Sequence, residues 1–369
     1  MSEQPAAGPA SPSEKPLPLP PVQPPTAGFL VQLFLAPLLI VMIIVVVWLM
    51  FSWLAQMGSN PQDLARDIAR MNDASWQRAY NLAELLRMPK YDYLKDDHQL
   101  ANELGQTLTT LRNSRPDRKR DAAKETDAER KQNKDAVYEN RIKLEMFLCR
   151  VLGEFRVDDG LPALVAAAEP DDSSDPQGFV VRSAAVQAIA LQAKQVPPQK
   201  LQENEKLMAA LIETSKERGE GEFAREEYDK LRSAAAFALG LVGGEEAITR
   251  LTQMLDDGDA NTRFNAATAL ARQGDIGALP VLEEMLDADS TAGLDDPDAT
   301  LPEHVASGVE FKRGMIIGNG IRAAKLLHDK NPTADYKSLI ACLDKLQANA
   351  KVNDKMKLDA KELKLMLTK

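Results

Sequence analysis

Three histidines, two cysteines and a set of recurring arginines carry what chemistry this 369-residue chain could do. His98, His304 and His328 stand in unrelated contexts. None belongs to a His-Glu-x-x-His pair or has a cysteine at ligand spacing, the patterns that aim two donors at one zinc ion. Cys149 and Cys342 are too few and too far apart for a disulfide framework or a cysteine metal site. Asp256-Asp-Gly-Asp259 is rich in carboxylates but too short for an EF-hand loop and lacks its closing glutamate, so it reads as a turn with a helix cap. Gly240, Gly243 and Gly244 lack the spacing and the preceding strand of a phosphate loop. Gly318-Asn-Gly320 reads as a bend near a helix. No Ser, Cys or Lys has a nucleophile's setting. The expectation is a non-enzymatic chain with no catalytic, cofactor-binding or metal residue.

The arginines are different, because they recur in register. Leu231-Arg-Ser-Ala-Ala-Ala-Phe-Ala-Leu-Gly240 returns as Thr262-Arg-Phe-Asn-Ala-Ala-Thr-Ala-Leu-Ala271, 31 residues later. Val181-Arg-Ser-Ala-Ala-Val-Gln-Ala-Ile-Ala190 is an earlier copy. The second halves of the two later copies match too: Glu246-Ala-Ile-Thr-Arg-Leu-Thr-Gln-Met-Leu255 aligns with Gly277-Ala-Leu-Pro-Val-Leu-Glu-Glu-Met-Leu286. A period of this size signifies stacked helical pairs, none able to bury its apolar face alone. Arg182, Arg232 and Arg263 therefore read as a ladder of salt bridges or helix-end hydrogen bonds, with a ligand site as the rival.

These residues resemble HEAT repeats, in particular the short PBS-lyase HEAT-like type, written V-R-x-x-A-A-x-A-L-G, a tight turn, then A-x-x-x-L-x-x-x-L. The clearest copies cover Leu231–Leu286. Weaker ones extend over Asn140–Leu191 and to Met315–Leu346 through Ile321-Arg-Ala-Ala-Lys-Leu-Leu327. Asp73–Leu111, with Trp76 and Arg78, reads as a degenerate first pair. The resemblance implies an all-α solenoid of five or six helical pairs, whose extended inner surface holds a protein partner. It also raises bilin-lyase activity by family name, although no pigment groove is visible.

Local chemistry agrees with helix–turn–helix units. The alanines at 234–236, 238, 266, 267 and 269 let paired helices approach closely. Asp259 is placed to cap a helix from Ala260. Gly274 and Asp275 stop that helix, and Pro280 falls in the first turn of the next. Leu100, Leu104, Leu108 and Leu111 follow one helix face. Three stretches interrupt the stack: a charged insertion at about 115–136, a partly looped segment from Gln195 to Glu227, and an acidic loop from Asp287 to Glu303. A basic amphipathic helix at about 352–368 reads as the cap of the open end.

Before the solenoid, expected over residues 60–369, the composition changes abruptly. Nine of the 22 prolines lie in the first 25 residues. Such a segment buries too little to offset its ordering entropy, so residues 1–28 are expected to be a disordered tail. Residues 33–54, LFLAPLLIVMIIVVVWLMFSWL, contain no charge. As a helix they would span about 33 Å, against a hydrocarbon core of about 30 Å. Residues 29–56 are therefore expected to form one transmembrane helix, with Pro37 in its first turns. Arg66 and Arg70 after the span, against Lys15 before it, bias the solenoid towards the cytoplasm.

The net charge of −10 opposes general nucleic-acid binding, which needs excess Lys and Arg. The functional expectation is a membrane-anchored, non-catalytic scaffold or assembly factor that binds protein partners. A stable subunit of a larger membrane complex, in transport or secretion, is the alternative.

Overall fold

The structure is a computed structural model that describes residues 27–57, 61–114, 128–169, 178–218, 222–294 and 302–368. The Pro-rich tail up to residue 26 and most of the charged insertion lie outside the described residues. The chain divides into two compact units, Met1–Asn60 and Pro61–Lys369.

The first unit contains one helix, α1, Ala27–Met57, 31 residues long. It begins six residues before the apolar run 33–54, because Ala27–Gln32 contains neither a charge nor a proline to stop it. Pro37 consequently lies inside the helix, where it removes a backbone hydrogen bond, and not in the first turns. The side chains from Leu38 to Phe51 are exposed. Among the described residues no helix is long and apolar enough to cross a membrane. Within α1 the unbroken run of described side chains is Pro37–Phe51, shorter than one crossing.

The second unit is helical throughout, with no strand among the described residues. It comprises α2 (Pro61–Ile68), α3 (Ser75–Arg87), α4 (His98–Asn113), α5 (Ala128–Gly153), α6 (Leu161–Ala168), α7 (Gly178–Gln192), α8 (Pro198–Gln202), α9 (Glu205–Lys216), α10 (Glu222–Val242) and α11 (Glu245–Met254). It continues with α12 (Ala260–Gln273), α13 (Leu279–Met285), α14 (Pro302–Lys330), α15 (Lys337–Ala348) and α16 (Asp354–Leu367). Short 3-10 segments occur at Pro89–Asp96 and Ile276–Ala278.

These helices form two layers. In layer A, α3, α5, α7, α10, α12 and α14 pack each on the next. In layer B, α2, α4, α6, α9 and α11 do the same, and α13 meets α15. This is a two-layer α-solenoid. One hydrophobic core runs through it, with Leu148, Ile189, Leu239 and Leu270 fully buried at equivalent positions. Burying each such side chain contributes about 1.5–3 kcal/mol.

Small residues set the spacing. A Cβ added at Gly153 of α5 would lie 2.8 Å from the Ala188 Cα of α7, so only glycine allows that approach. Gly240 of α10 meets Ala269 of α12 in the same way. The caps agree closely with the sequence. Asp259 accepts from the Thr262 amide at 2.7 Å, and Gly274 ends α12 in the left-handed conformation, φ 88°. Asp275 accepts from the Gly277 amide at 2.8 Å, and Pro280 lies in the first turn of α13. At the far end α16 packs on α14 and α15, with Ala360 and Leu363 buried.

Candidate interaction surface

The recurring arginines tie layer-B helix ends together. Arg182 of α7 donates to the Ala168 carbonyl at the end of α6, 3.3 Å, and binds the Glu217 carboxylate just beyond α9. Arg232 of α10 donates to the Glu217 carbonyl at 3.2 Å and to both Asp257 oxygens at 3.0 and 2.9 Å. Arg263 of α12 donates to the Asp257 carbonyl at 2.8 Å and to the Glu284 carboxylate of α13 at 3.2 and 2.5 Å. Each guanidinium thus holds orphan carbonyls at the end of one layer-B helix and a carboxylate at the end of the next. Both contacts suit a cation, because helix C-termini carry partial negative charge.

Two further rungs lack the motif that marks the other three. Arg141 of α5 donates to the Leu111 carbonyl and to the Ser114 hydroxyl at the end of α4, both at 2.6 Å. Arg313 of α14 donates to the carbonyls of Ala288 and Ser290 beyond α13, at 2.5 and 2.8 Å. The last repeat is therefore in register at Arg313, not at Arg322 of Ile321-Arg-Ala-Ala. Arg322 is exposed and bonds to Asn319 of its own helix. The usable signal is spacing: Arg313 follows Arg263 by the 50 residues that separate Arg182 from Arg232. Gly-Met-Ile-Ile-Gly after Arg313 hides it by replacing the alanine signature.

Asp257 is the most enclosed member of the ladder. It also accepts from Arg218 and from the Asp259 amide, each at 2.9 Å. Burial would raise its carboxyl, but the hydrogen bonds from Arg232 and the Asp259 amide, with the charges of Arg232 and Arg218, hold it below the usual range.

The other residues singled out in the sequence do not converge. His98 Nδ1 lies 2.6 Å from Asp159, joining the exposed start of α4 to the turn before α6. His328 meets Tyr336 edge-on at 5.5 Å. The side chain of His304 lies outside the described residues. Cys149 is buried, and burial together with Glu283 pushes the Cys342 thiol up, away from thiolate reactivity. No group of three or more His, Cys, Asp or Glu among the described residues could hold a metal ion. Gly243 and Gly244, φ 70° and 92°, form the turn between α10 and α11. Gly318 and Gly320 form no bend: both lie within the continuous helix α14. A Cβ on Gly320 would come within 3.1 Å of the Met285 Cβ, so this glycine admits α13.

Two faces are left to solvent, and their charge differs. The exposed and half-buried stripes of layer A contain no Asp or Glu over Ser183–Leu191, Ala234–Leu241, Asn265–Arg272 and Phe311–Leu326. Layer B shows Glu205, Glu213, Glu245, Glu246, Glu283 and Glu284 along α9, α11 and α13, against Lys206, Lys216 and Arg250. At the first end, α2 and α4 enclose a groove of about 600 Å³. Ala65, Leu100 and Leu104 are among its apolar residues, and Arg66, Glu103 and Thr110 among its polar ones. Met71, which also lines it, has the left-handed φ of 50°.

The family model of HEAT repeats matches residues 221–294, the span of α10 to α13 in which the ladder is most complete. This segment matches HEAT repeats, and the all-helical, two-layer packing fits them. No curated protein matches the chain. Among solved structures it is similar to the X-ray structure of YibA from E. coli, at 16% identity and a TM-score of 0.30, over 85% of this chain and 98% of that one. The stacking itself explains why the arginines do not gather: a solenoid distributes equivalent residues one per repeat along its length and creates no central cleft.

Proposed function

We propose that this protein is a membrane-anchored, non-catalytic scaffold whose HEAT-like solenoid holds a protein partner for assembly or regulation. The arginine ladder supports this reading most. The position with the greatest chemical capacity in each repeat is occupied in joining helix ends, which leaves the long faces of the two layers as the parts available for work. HEAT repeats commonly mediate protein–protein interactions, and that general property comes to this chain by analogy of fold.

The anchor rests on the uncharged residues 33–54. About fifteen Leu, Ile, Val or Phe side chains, each contributing up to ~0.5 kcal/mol, favour insertion by several kcal/mol. The one-against-two balance of flanking cations favours a cytoplasmic solenoid. The PBS-lyase-like subtype rests on the Arg-x-x-Ala-Ala-x-Ala-Leu motif alone.

The test uses the full-length chain in its own cells. It should remain in the membrane fraction under alkaline extraction and leave only with detergent. Photo-crosslinkers on exposed helix positions should capture one recurring protein. Alkaline release would remove the anchor, and absence of any adduct along both layers would remove the scaffold.

A further inference from the structure

We infer that the outer face of layer A, across α7, α10, α12 and α14, docks an acidic amphipathic segment of a partner protein, anchored by a carboxylate on Arg272. The inference rests on the scaffold reading and adds which face is used and what chemistry it accepts.

The first observation is the charge distribution. In a chain with 55 acidic residues, α7 and α12 contain no carboxylate at all, and α10 and α14 carry theirs only towards their ends, up to Asp229 on α10 and at Glu303, Glu310 and Asp329 on α14. The stripes are contiguous, because the helices pack in sequence and Asn265 of α12 donates to the carbonyl and hydroxyl of Ser233 on α10, both at 3.0 Å. Apolar side chains stand out on them: Phe237, Phe311 (70% exposed), Met315 and Leu326. Isolated exposed apolar residues mean little, but three grouped on α14, with Phe237 on α10 beyond the intervening α12, mark an interaction face.

The second observation is Arg272. It occupies the register that Leu241 holds in α10 and Leu191 in α7. It is half-buried, and burial alone pulls its guanidinium below the ordinary arginine range. Among the described residues it has no hydrogen bond or ion pair, whereas the arginines of the ladder each bind helix-end carbonyls; Arg182, Arg232 and Arg263 also hydrogen-bond a carboxylate, and Arg313 lies 3.6 Å from that of Glu310. A desolvated arginine is stabilised most by a carboxylate, which takes two parallel hydrogen bonds from its planar fork. Nearby cations extend the same preference: Lys194 lies over the Phe237 ring at 5.3 Å, and Arg322 and Lys325 are exposed on α14.

The spacing selects a protein over a phosphate-rich surface. Helices packed about 8–10 Å apart spread these cations over roughly 30 Å, beyond a Debye length at physiological salt. Anionic membranes and nucleic acids reward clustered cations. Single cations separated by apolar side chains match single carboxylates on an amphipathic helix.

The experiment places a photo-crosslinker at Phe237 on layer A, and separately at Thr249 on layer B, in the full-length membrane-bound protein. The expected result is an adduct at Phe237 whose captured peptide is net acidic. Arg272→Glu combined with Arg322→Glu should lower its yield about tenfold or more. A compensating Glu→Lys change in the captured peptide should restore it. Arg272→Gln, which keeps size and polarity, should give a partial loss, and an unchanged melting temperature in both variants excludes unfolding. An adduct at Phe237 insensitive to charge reversal would overturn the proposal, as would a loss reproduced only with anionic lipid vesicles. An adduct confined to Thr249 overturns the face but leaves the scaffold standing. No adduct at either site overturns both.

Discussion

Arg232 and Asp257 close on each other through two parallel hydrogen bonds, 3.0 and 2.9 Å, with their side chains only 3% and 2% exposed. This pair joins α10 to the turn after α11, and the remaining guanidinium nitrogen of Arg232 donates to the Glu217 carbonyl. Removing Arg232 takes away two of the hydrogen bonds to the buried Asp257 carboxylate and leaves it only those from Arg218 and the Asp259 amide. Arg232→Met should therefore destabilise the solenoid by about 3–5 kcal/mol, read as a lower denaturant midpoint. Replacing both residues by apolar ones of similar size should cost much less. Equal losses for single and double variants would show that the pair is not the cause.

Acid should weaken the same contact. The folded Asp257 carboxyl sits below its unfolded value, so the native state binds its proton less readily than the unfolded chain. Its stabilisation is complete above the ordinary value of about 3.9 and disappears as pH falls through the depressed folded value. Melting temperature should hold from neutrality to about pH 5 and decline below about pH 4. Asp257→Asn should flatten part of that decline, and identical acid profiles would refute the assignment.

The repeat register makes a paired comparison possible. Arg313→Leu strips two helix-end carbonyls of their donor and should cost about 1–3 kcal/mol. Arg322→Leu, on the same helix, removes only an exposed bond to Asn319 and should stay within about 0.5 kcal/mol. The reverse order of losses would restore the register read from Ile321-Arg-Ala-Ala.

Helix spacing is equally testable. Gly153→Val would drive a side chain into the α7 backbone at Ala188, where the gap for a Cβ is 2.8 Å. Overpacking of this kind costs about 1–3 kcal/mol. Gly258, with nothing near its Cβ position, is the matching control for substitution to alanine. A neutral Gly153→Val variant would mean that α5 and α7 can separate.

Much of the fold is legible because local residues carry it. Asp259, Gly274 and Pro280 announce the ends of α12 and the start of α13, and the Ala-rich signature announces close packing. The ladder is legible at Arg182, Arg232 and Arg263 for the same reason: the motif around them repeats. It fades at Arg313, where glycine and isoleucine replace alanine although the arginine keeps its geometry. Gly318 and Gly320 mislead in the other direction. Glycine signals a bend only when backbone freedom is what the site needs, and within α14 Gly320 is needed for its missing Cβ. The carboxylate-poor face is invisible in one dimension, since its members lie on four helices and meet only after stacking.

If the stacked repeats work by presenting a surface, a partner should be met along its length. A crosslink scan of the full-length protein at Gln187, Phe237 and Thr268 tests it most directly, because these residues share one register on α7, α10 and α12. The predicted result is adducts to the same partner at successive members of this row. Adducts confined to the connecting turns, or none from any helix together with turnover of a small molecule by the purified chain, would contradict it.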